Sequence, residues 1–272
     1  MPNLITALFA ATALVYALAW ALYLVVLFRG SGGVGRFAHR ALAVAVPLHV
    51  AFLVADFVIA GHSPLDHIQG TLAVLALGVI VAFLVATMRH DVAVLGAFVT
   101  PVTLLFFLAS SLGRSVGPVP AGVRTLLLPL HVGVNILGVA AFAFAFATSV
   151  AYVLQEQLLR RKHVEGPSEQ LPSLEMLDSL GFRAILVGFP LLTVGVLTGA
   201  AWAYRESPAG TIVLGITQGF GLLAWLIFAT VLLLRVAWGW RGRRAAIGTI
   251  LGFGCAVAVL AGYVVQASGG AS

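Results

Sequence analysis

Charge is what this chain has least of: Asp, Glu, Lys and Arg make up 9% of its 272 residues, while 61% are hydrophobic. Soluble domains carry about 25% charged and about 45–50% apolar residues. The gap excludes a soluble globular protein and points to a polytopic membrane protein. Cysteine is nearly absent as well. The lone Cys255 lies inside an apolar run, so neither a disulfide framework nor a CxxC thiol pair is available. Thiol redox chemistry is therefore excluded as the chain's own work. No basic residue precedes the first apolar run, Leu4 to Phe28, which also exceeds the roughly 7–15 residues of a signal-peptide core. It reads as a retained transmembrane helix. A formal charge of +6 does not imply nucleic acid as a partner, because in a membrane protein the placement of basic residues sets topology. The partner that composition implies is the lipid bilayer.

Against these absences stand long apolar runs. Those near the ~20 residues that cross a ~30 Å hydrocarbon core fall at about 4–28, 41–61, 70–88, 92–113, 125–152, 184–204, 211–234 and 245–267. They predict an all-α polytopic membrane bundle of eight transmembrane helices in one domain, 1–272. The joins after the first, third, fifth and seventh runs hold Arg29, Arg36, Arg40, Arg89, Arg160, Arg161, Lys162, Arg183, Arg235, Arg241, Arg243 and Arg244. The other joins hold only Arg114, Arg124 and Arg205. By the positive-inside rule the first group is cytoplasmic and both termini are extracytoplasmic. The longest connection, the cytoplasmic loop 156–183, carries Pro167 and Pro172 and ends in a Leu174, Leu177, Leu180 stripe suited to a short interfacial helix. No soluble domain fits into it. Gly195 with Gly199, and Gly215 with Gly219, form small-xxx-small pairs that read as bundle packing.

One tetrapeptide recurs inside these runs, as Pro47-Leu48-His49-Val50 and Pro129-Leu130-His131-Val132. An ionisable side chain at membrane depth is a functional candidate, and neutral imidazole is a common metal and haem ligand. Each proline removes a helical hydrogen bond and re-aims the turn that carries the histidine. At ~1.5 Å per residue, His49 lies roughly 13 Å from the cytoplasmic end of its helix and His131 roughly 9 Å from the outer end of its own. With some tilt, one haem iron can be held between them. The depths also suit a hydrogen bond from His131 to Asp56, one heptad after His49, and Asn135 has similar options as a second-layer partner. Arg114, Arg124 and Arg205, the only outer cations, are candidates for haem propionates or for plain interfacial anchoring. His62 and His67 fall on the outer side; His39, His90 and His163 sit among cytoplasmic basic residues, where a solvated interface accounts for them.

From Pro172 to Ala203 the chain reads PSLEMLDSLGFRAILVGFPLLTVGVLTGAAWA, and from Ala224 to Phe253 it carries AWLIF and then GWRGRRAAIGTILGF. Both stretches resemble the cytochrome c assembly superfamily, the CcsA, CcmC and HemX-like haem-handling membrane proteins. His49 and His131 fall where the HemX-like branch has its transmembrane histidines. The tryptophan-rich WGxxWxWD segment of the CcsA and CcmC branches is missing: Ser207 to Gly221 reads SPAGTIVLGITQGFG. The outer histidines that flank it there are missing too. The resemblance therefore implies a carrier or assembly factor nearest the HemX-like branch, with no bond-making chemistry of its own. Expected is a bacterial inner-membrane protein that binds haem b through His49 and His131 and assists cytochrome c assembly, with haem and other cytochrome c maturation membrane proteins as partners. Two rivals stand beside it. One is a proton-coupled secondary transporter with a pathway along Asp56, His49 and Gln218. The other is a haem-free scaffold subunit of a maturation complex.

Overall fold

A computed structural model describes residues 2–30, 32–61, 63–90, 92–112, 127–162, 166–206 and 215–269. Among them all regular structure is helical: α1 (Pro2–Arg29), α2 (Gly32–Ala60), α3 (Ile68–Thr87), α4 (Gly96–Ala109), α5 (Leu127–Arg160), α6 (Pro167–Gln170), α7 (Leu174–Glu206), α8 (Ile216–Trp238) and α9 (Arg243–Gly269). Short 3-10 turns, Pro64–Asp66 and Ala93–Leu95, precede α3 and α4. Seven of the helices are long and apolar enough to cross a membrane, the architecture of a multi-pass protein. The fourth expected span, 92–113, is the shorter apolar segment Ala93–Ala109.

Two helix groups share one core. α1 packs against α2 and α4, and α3 against α4; α5 packs against α7 and α9, and α8 against α9. The groups meet along α3 and α5. Phenylalanines fill the joins: Phe142 of α5 stacks on Phe228 of α8 at 3.7 Å, and Phe253 of α9 lies against Phe146 of α5 at 4.8 Å and Phe106 of α4 at 6.3 Å.

The segment at α4 shows how a short, interrupted helix is held. Pro101 has no N–H, so it leaves the Ala97 carbonyl one turn back without its helical donor. The Trp20 indole of α1 supplies one, Nε1 donating to the Ala97 oxygen at 3.1 Å. At the start of α4, a side chain on Gly96 would stand 2.6 Å from the Tyr23 ring, so only glycine lets the helices approach this closely. α1 thus completes α4's backbone and sets its position.

The expected short interfacial helix is not separate from the sixth span. α7 runs unbroken from Leu174, because Leu177 and Leu180 are buried in the bundle and the polar Asp178 between them has partners within it. α2 likewise starts at Gly32, well before 41, carrying Arg36, His39 and Arg40 in its first turns. α6 tucks beneath the bundle. Gln155 of α5 donates to the Ser168 carbonyl at 3.1 Å, and the Gln170 side chain lies against Gly30 at the end of α1.

Candidate functional site

His49 is fully buried, with α1 on one side and α4 on the other. Its Nδ1 is 3.0 Å from the Tyr16 hydroxyl. Aromatic rings enclose the imidazole: Phe107 at 4.5 Å, Tyr16 at 5.9 Å and Phe52 at 6.3 Å between centroids. Phe9 stacks on Phe107 at 4.6 Å and closes the cage from behind. The Ala73 carbonyl of α3 faces the ring, but no partner stands within hydrogen-bond geometry of Nε2. A buried imidazole nitrogen without a partner is costly in hydrocarbon, by about 1–3 kcal/mol.

His131 has a different setting. It is half-buried between α5 and α7, with Nδ1 3.0 Å from the Thr198 hydroxyl. Asn135, one turn on, donates from Nδ2 to the His131 carbonyl at 2.7 Å and stands 3.4 Å from both ring nitrogens. Trp202 presents its ring edge-on at 6.5 Å. The seat exists because α7 has no side chains there. A Cβ on Gly199 would lie 2.9 Å from His131 Cε1, and one on Gly195 would lie 2.4 Å from Asn135 Oδ1. Gly195 and Gly199, expected only to pack helices, hold the site's own residues. Gly219, by contrast, has nothing within 4 Å of such a position among the described residues, which therefore show no close-packing seam at the Gly215 and Gly219 pair.

Among the described residues the two imidazoles make no direct contact. His49 is enclosed from α1, α2, α3 and α4 and His131 from α5 and α7, and the described residues give them no common bonded partner or ring contact. The reason lies in helix pairing: α2 packs chiefly on α1, whereas α5 packs chiefly on α7. Asp56, half-buried on α2, takes no part in binding His131, whose hydroxyl and amide partners are Thr198 and Asn135. Gln218 is exposed on α8, which packs on α7 and α9, so it does not converge with His49 and Asp56. Arg114 and Arg124, with His62 and His163, lie outside the described residues; Arg205 falls in the last turn of α7 and its side chain also lies outside them.

A third constellation sits at the other end of α7, in the two stretches that carry the family resemblance. Asp178 accepts from Arg235 of α8 at both oxygens, 2.9 and 2.6 Å, and from the backbone N–H of Gly242 at 3.0 Å. The Arg235 guanidinium lies 4.1 Å over the Phe182 ring. One carboxylate therefore ties α7 to α8 and caps the start of α9, where a helix N-terminus favours negative charge. Beside it lies a cavity of about 20 Å³, lined among others by Ser149, Tyr152 and Thr249 and large enough for one water. This is a structural clasp.

Tyr16, Thr198, Phe107 and the Asp178–Arg235 pair were missed in the sequence. A signal existed for the first. Thr12, Tyr16 and Tyr23 fall at helical spacing on one face of α1, and all three are fully buried.

Comparison with known proteins agrees with this architecture. The family model described as Cytochrome C assembly protein matches residues 65–269. A protein of Synechococcus sp. (strain WH7803) named Cytochrome c biogenesis protein CcsA is 31% identical, over 92% of this chain and 88% of its own length. Its namesake in Prochlorococcus marinus subsp. pastoris is 30% identical, over 79% of this chain and 76% of the relative. The Synechococcus elongatus namesake is 26% identical over 84% of each. On the match across three quarters of its length, with the Asp178 clasp lying inside the matched region, the chain belongs to the cytochrome c assembly protein family.

Proposed function

We propose that this chain is a haem-handling assembly factor for cytochrome c biogenesis in the bacterial inner membrane, with His49 and His131 as two separate iron-ligand stations. The observation that carries the reading is a pair of histidines at membrane depth, His49 among aromatic faces and His131 beside Trp202. Neutral imidazole nitrogen is the usual protein donor to haem iron, so the donor set fits the group. Bound there, haem would supply an iron centre that accepts imidazole nitrogen. The chain's residues do the rest. His49 holds a ligand position in the sealed interior, and His131 holds one near the end of α7, beside Trp202. Asn135 and Thr198 orient the second ring, while Arg114, Arg124 and Arg205 neutralise propionates on the outer side. In this reading the segment Ala93–Ala109 counts as the eighth crossing and both termini are extracytoplasmic. The haem is b-type, the partners are other cytochrome c maturation membrane proteins, and the branch is the HemX-like one.

The test is the reduced absorbance spectrum and haem content of protein purified from haem-replete cells. Wild type is expected to carry haem, His49→Ala and His131→Ala to keep part of it, and the double variant to carry none. Complete loss in either single variant overturns separate stations in favour of a shared iron. A colourless wild type overturns haem handling. If the double variant still restores cytochrome c to a deletion strain, the chain acts as a haem-free scaffold instead.

A further inference from the structure

We infer that the turn between α8 and α9 is a binding site for the headgroup of an anionic phospholipid, its phosphate held by the guanidinium groups of Arg241 and Arg244 beside Trp240. The inference is independent of the haem reading. It needs only that α8 and α9 cross the membrane, which puts the turn between them at a membrane surface.

Two glycines and one carboxylate fix the shape of the turn. Gly239 ends α8 in the left-handed region at φ 65°; its N–H donates to the Arg235 carbonyl at 3.1 Å, and that of Trp240 donates to the Leu234 carbonyl at 3.2 Å. Gly242, at φ 73°, stands just before α9, and its N–H donates to Asp178. Both backbone conformations favour glycine. At Gly242 a Cβ would also stand 2.7 Å from the Tyr152 hydroxyl. The two residues between the glycines, Trp240 and Arg241, are therefore displayed on a rigid support, and both are exposed.

The charges around the turn are unequally engaged. Arg235 is paired with Asp178, and Arg243 stands 3.8 Å from Glu156. Arg241 and Arg244 are exposed, and among the described residues neither meets a carboxylate. Nor does their charge serve α9, whose first turn holds no acidic residue although a helix start favours negative charge. The Arg244 guanidinium lies 5.6 Å over the Trp240 ring, a contact that orients its planar fork. Such forks match the paired oxygens of a phosphate. The apolar surroundings favour a phosphate that carries acyl chains: Val236 and Trp238 of α8 and Ile247 and Leu251 of α9 are all exposed within about two helical turns of the charges. Setting topology needs positive charge alone. It does not account for a rigid turn or for an arginine laid on tryptophan.

The test uses the full chain in a neutral detergent at about 0.15 M salt, where charges further than about 8 Å apart are screened. Phosphatidylglycerol, phosphatidylcholine or inorganic phosphate is added, and bound lipid is counted by native mass spectrometry. Wild type is expected to hold phosphatidylglycerol and to discriminate against phosphatidylcholine. Arg241→Gln with Arg244→Gln should weaken phosphatidylglycerol binding about 30-fold, from about fivefold for each arginine at an anionic headgroup. Trp240→Leu should weaken it less. Arg36→Gln with Arg40→Gln takes the same charge from α2 and should leave binding unchanged. Equal weakening by the two pairs reduces the site to diffuse surface charge and overturns the inference. So does equal binding of the two lipids, or displacement of the lipid by equimolar inorganic phosphate, which would make the ligand a soluble anion. Arg241→Lys with Arg244→Lys keeps every charge and separates binding from folding: it should melt in detergent as wild type does and still bind phosphatidylglycerol less tightly. Wild-type affinity in that variant overturns the role of the guanidinium forks.

Discussion

The same Pro-Leu-His-Val tetrapeptide ends in two unlike surroundings: the first half of the molecule wraps His49 in phenylalanine and tyrosine rings, and the second seats His131 among a hydroxyl, an amide and two glycines. The difference extends beyond the rings themselves. Both halves use aromatic packing and close glycine contacts, but α1 to α4 add the Trp20 bond to Ala97, whereas α5 to α9 add an ion pair and hydroxyl bonds between helices. A polar group inside a membrane can thus be sealed away by shape or satisfied by neighbours. The first solution is used at His49 and the second at His131.

The comparison breaks most severely at Asp178. Replacing it with alanine strands Arg235, 11% exposed, and frees the start of α9. The expected loss is about 3 kcal/mol, the low end for breaking a buried pair, read as a lower melting temperature in detergent with the α1–α4 half still protected in hydrogen exchange. Equal deprotection of both halves would show that they do not unfold separately. Gly195→Leu comes next. Its side chain must displace Asn135, at an expected cost of about 1–3 kcal/mol, and the partial haem content ascribed to His131 should fall with it. If that haem content is unchanged, the glycine seat does not position the ring.

Trp20→Phe sharpens the comparison from the other half, because it leaves the Ala97 carbonyl open beside Pro101. About 1 kcal/mol is expected, with faster exchange confined to α4; uniform exchange would mean that the bond is redundant. The smallest effect belongs to the cage. With both members of the Tyr16 and His49 pair made apolar, as Tyr16→Phe with His49→Leu, stability without haem should stay within about 1 kcal/mol of wild type. His49→Leu alone should cost more than the double substitution, since it strands the phenol. A double variant as damaged as the single would show that the pair stabilises the fold rather than awaiting a ligand.

Much of the fold was legible because hydrophobic run length reports on spans one helix at a time. The repeated tetrapeptide identified both histidines for the same reason. What one-dimensional spacing does not carry is the choice of neighbour. Depth estimates allowed His49 and His131 to meet, but α2 pairs with α1 and α5 with α7, so the rings occupy different helix groups. Thr198 lies 67 residues from its histidine and Tyr16 lies 33 from its own, and nothing local marks either partner. The end of the 156–183 connection was hidden by its polarity. Asp178 and its neighbours look like loop until Arg235 and Gly242 are brought to them.

The indole that serves α4 has a bearing on how the protein is made. Trp20 is synthesised some eighty residues before Pro101, so the donor already stands in the bilayer when the kinked segment leaves the ribosome. α4, short and with an open carbonyl, has that carbonyl met only beside α1. Along the chain, the helix that supplies the donor thus precedes the one that needs it.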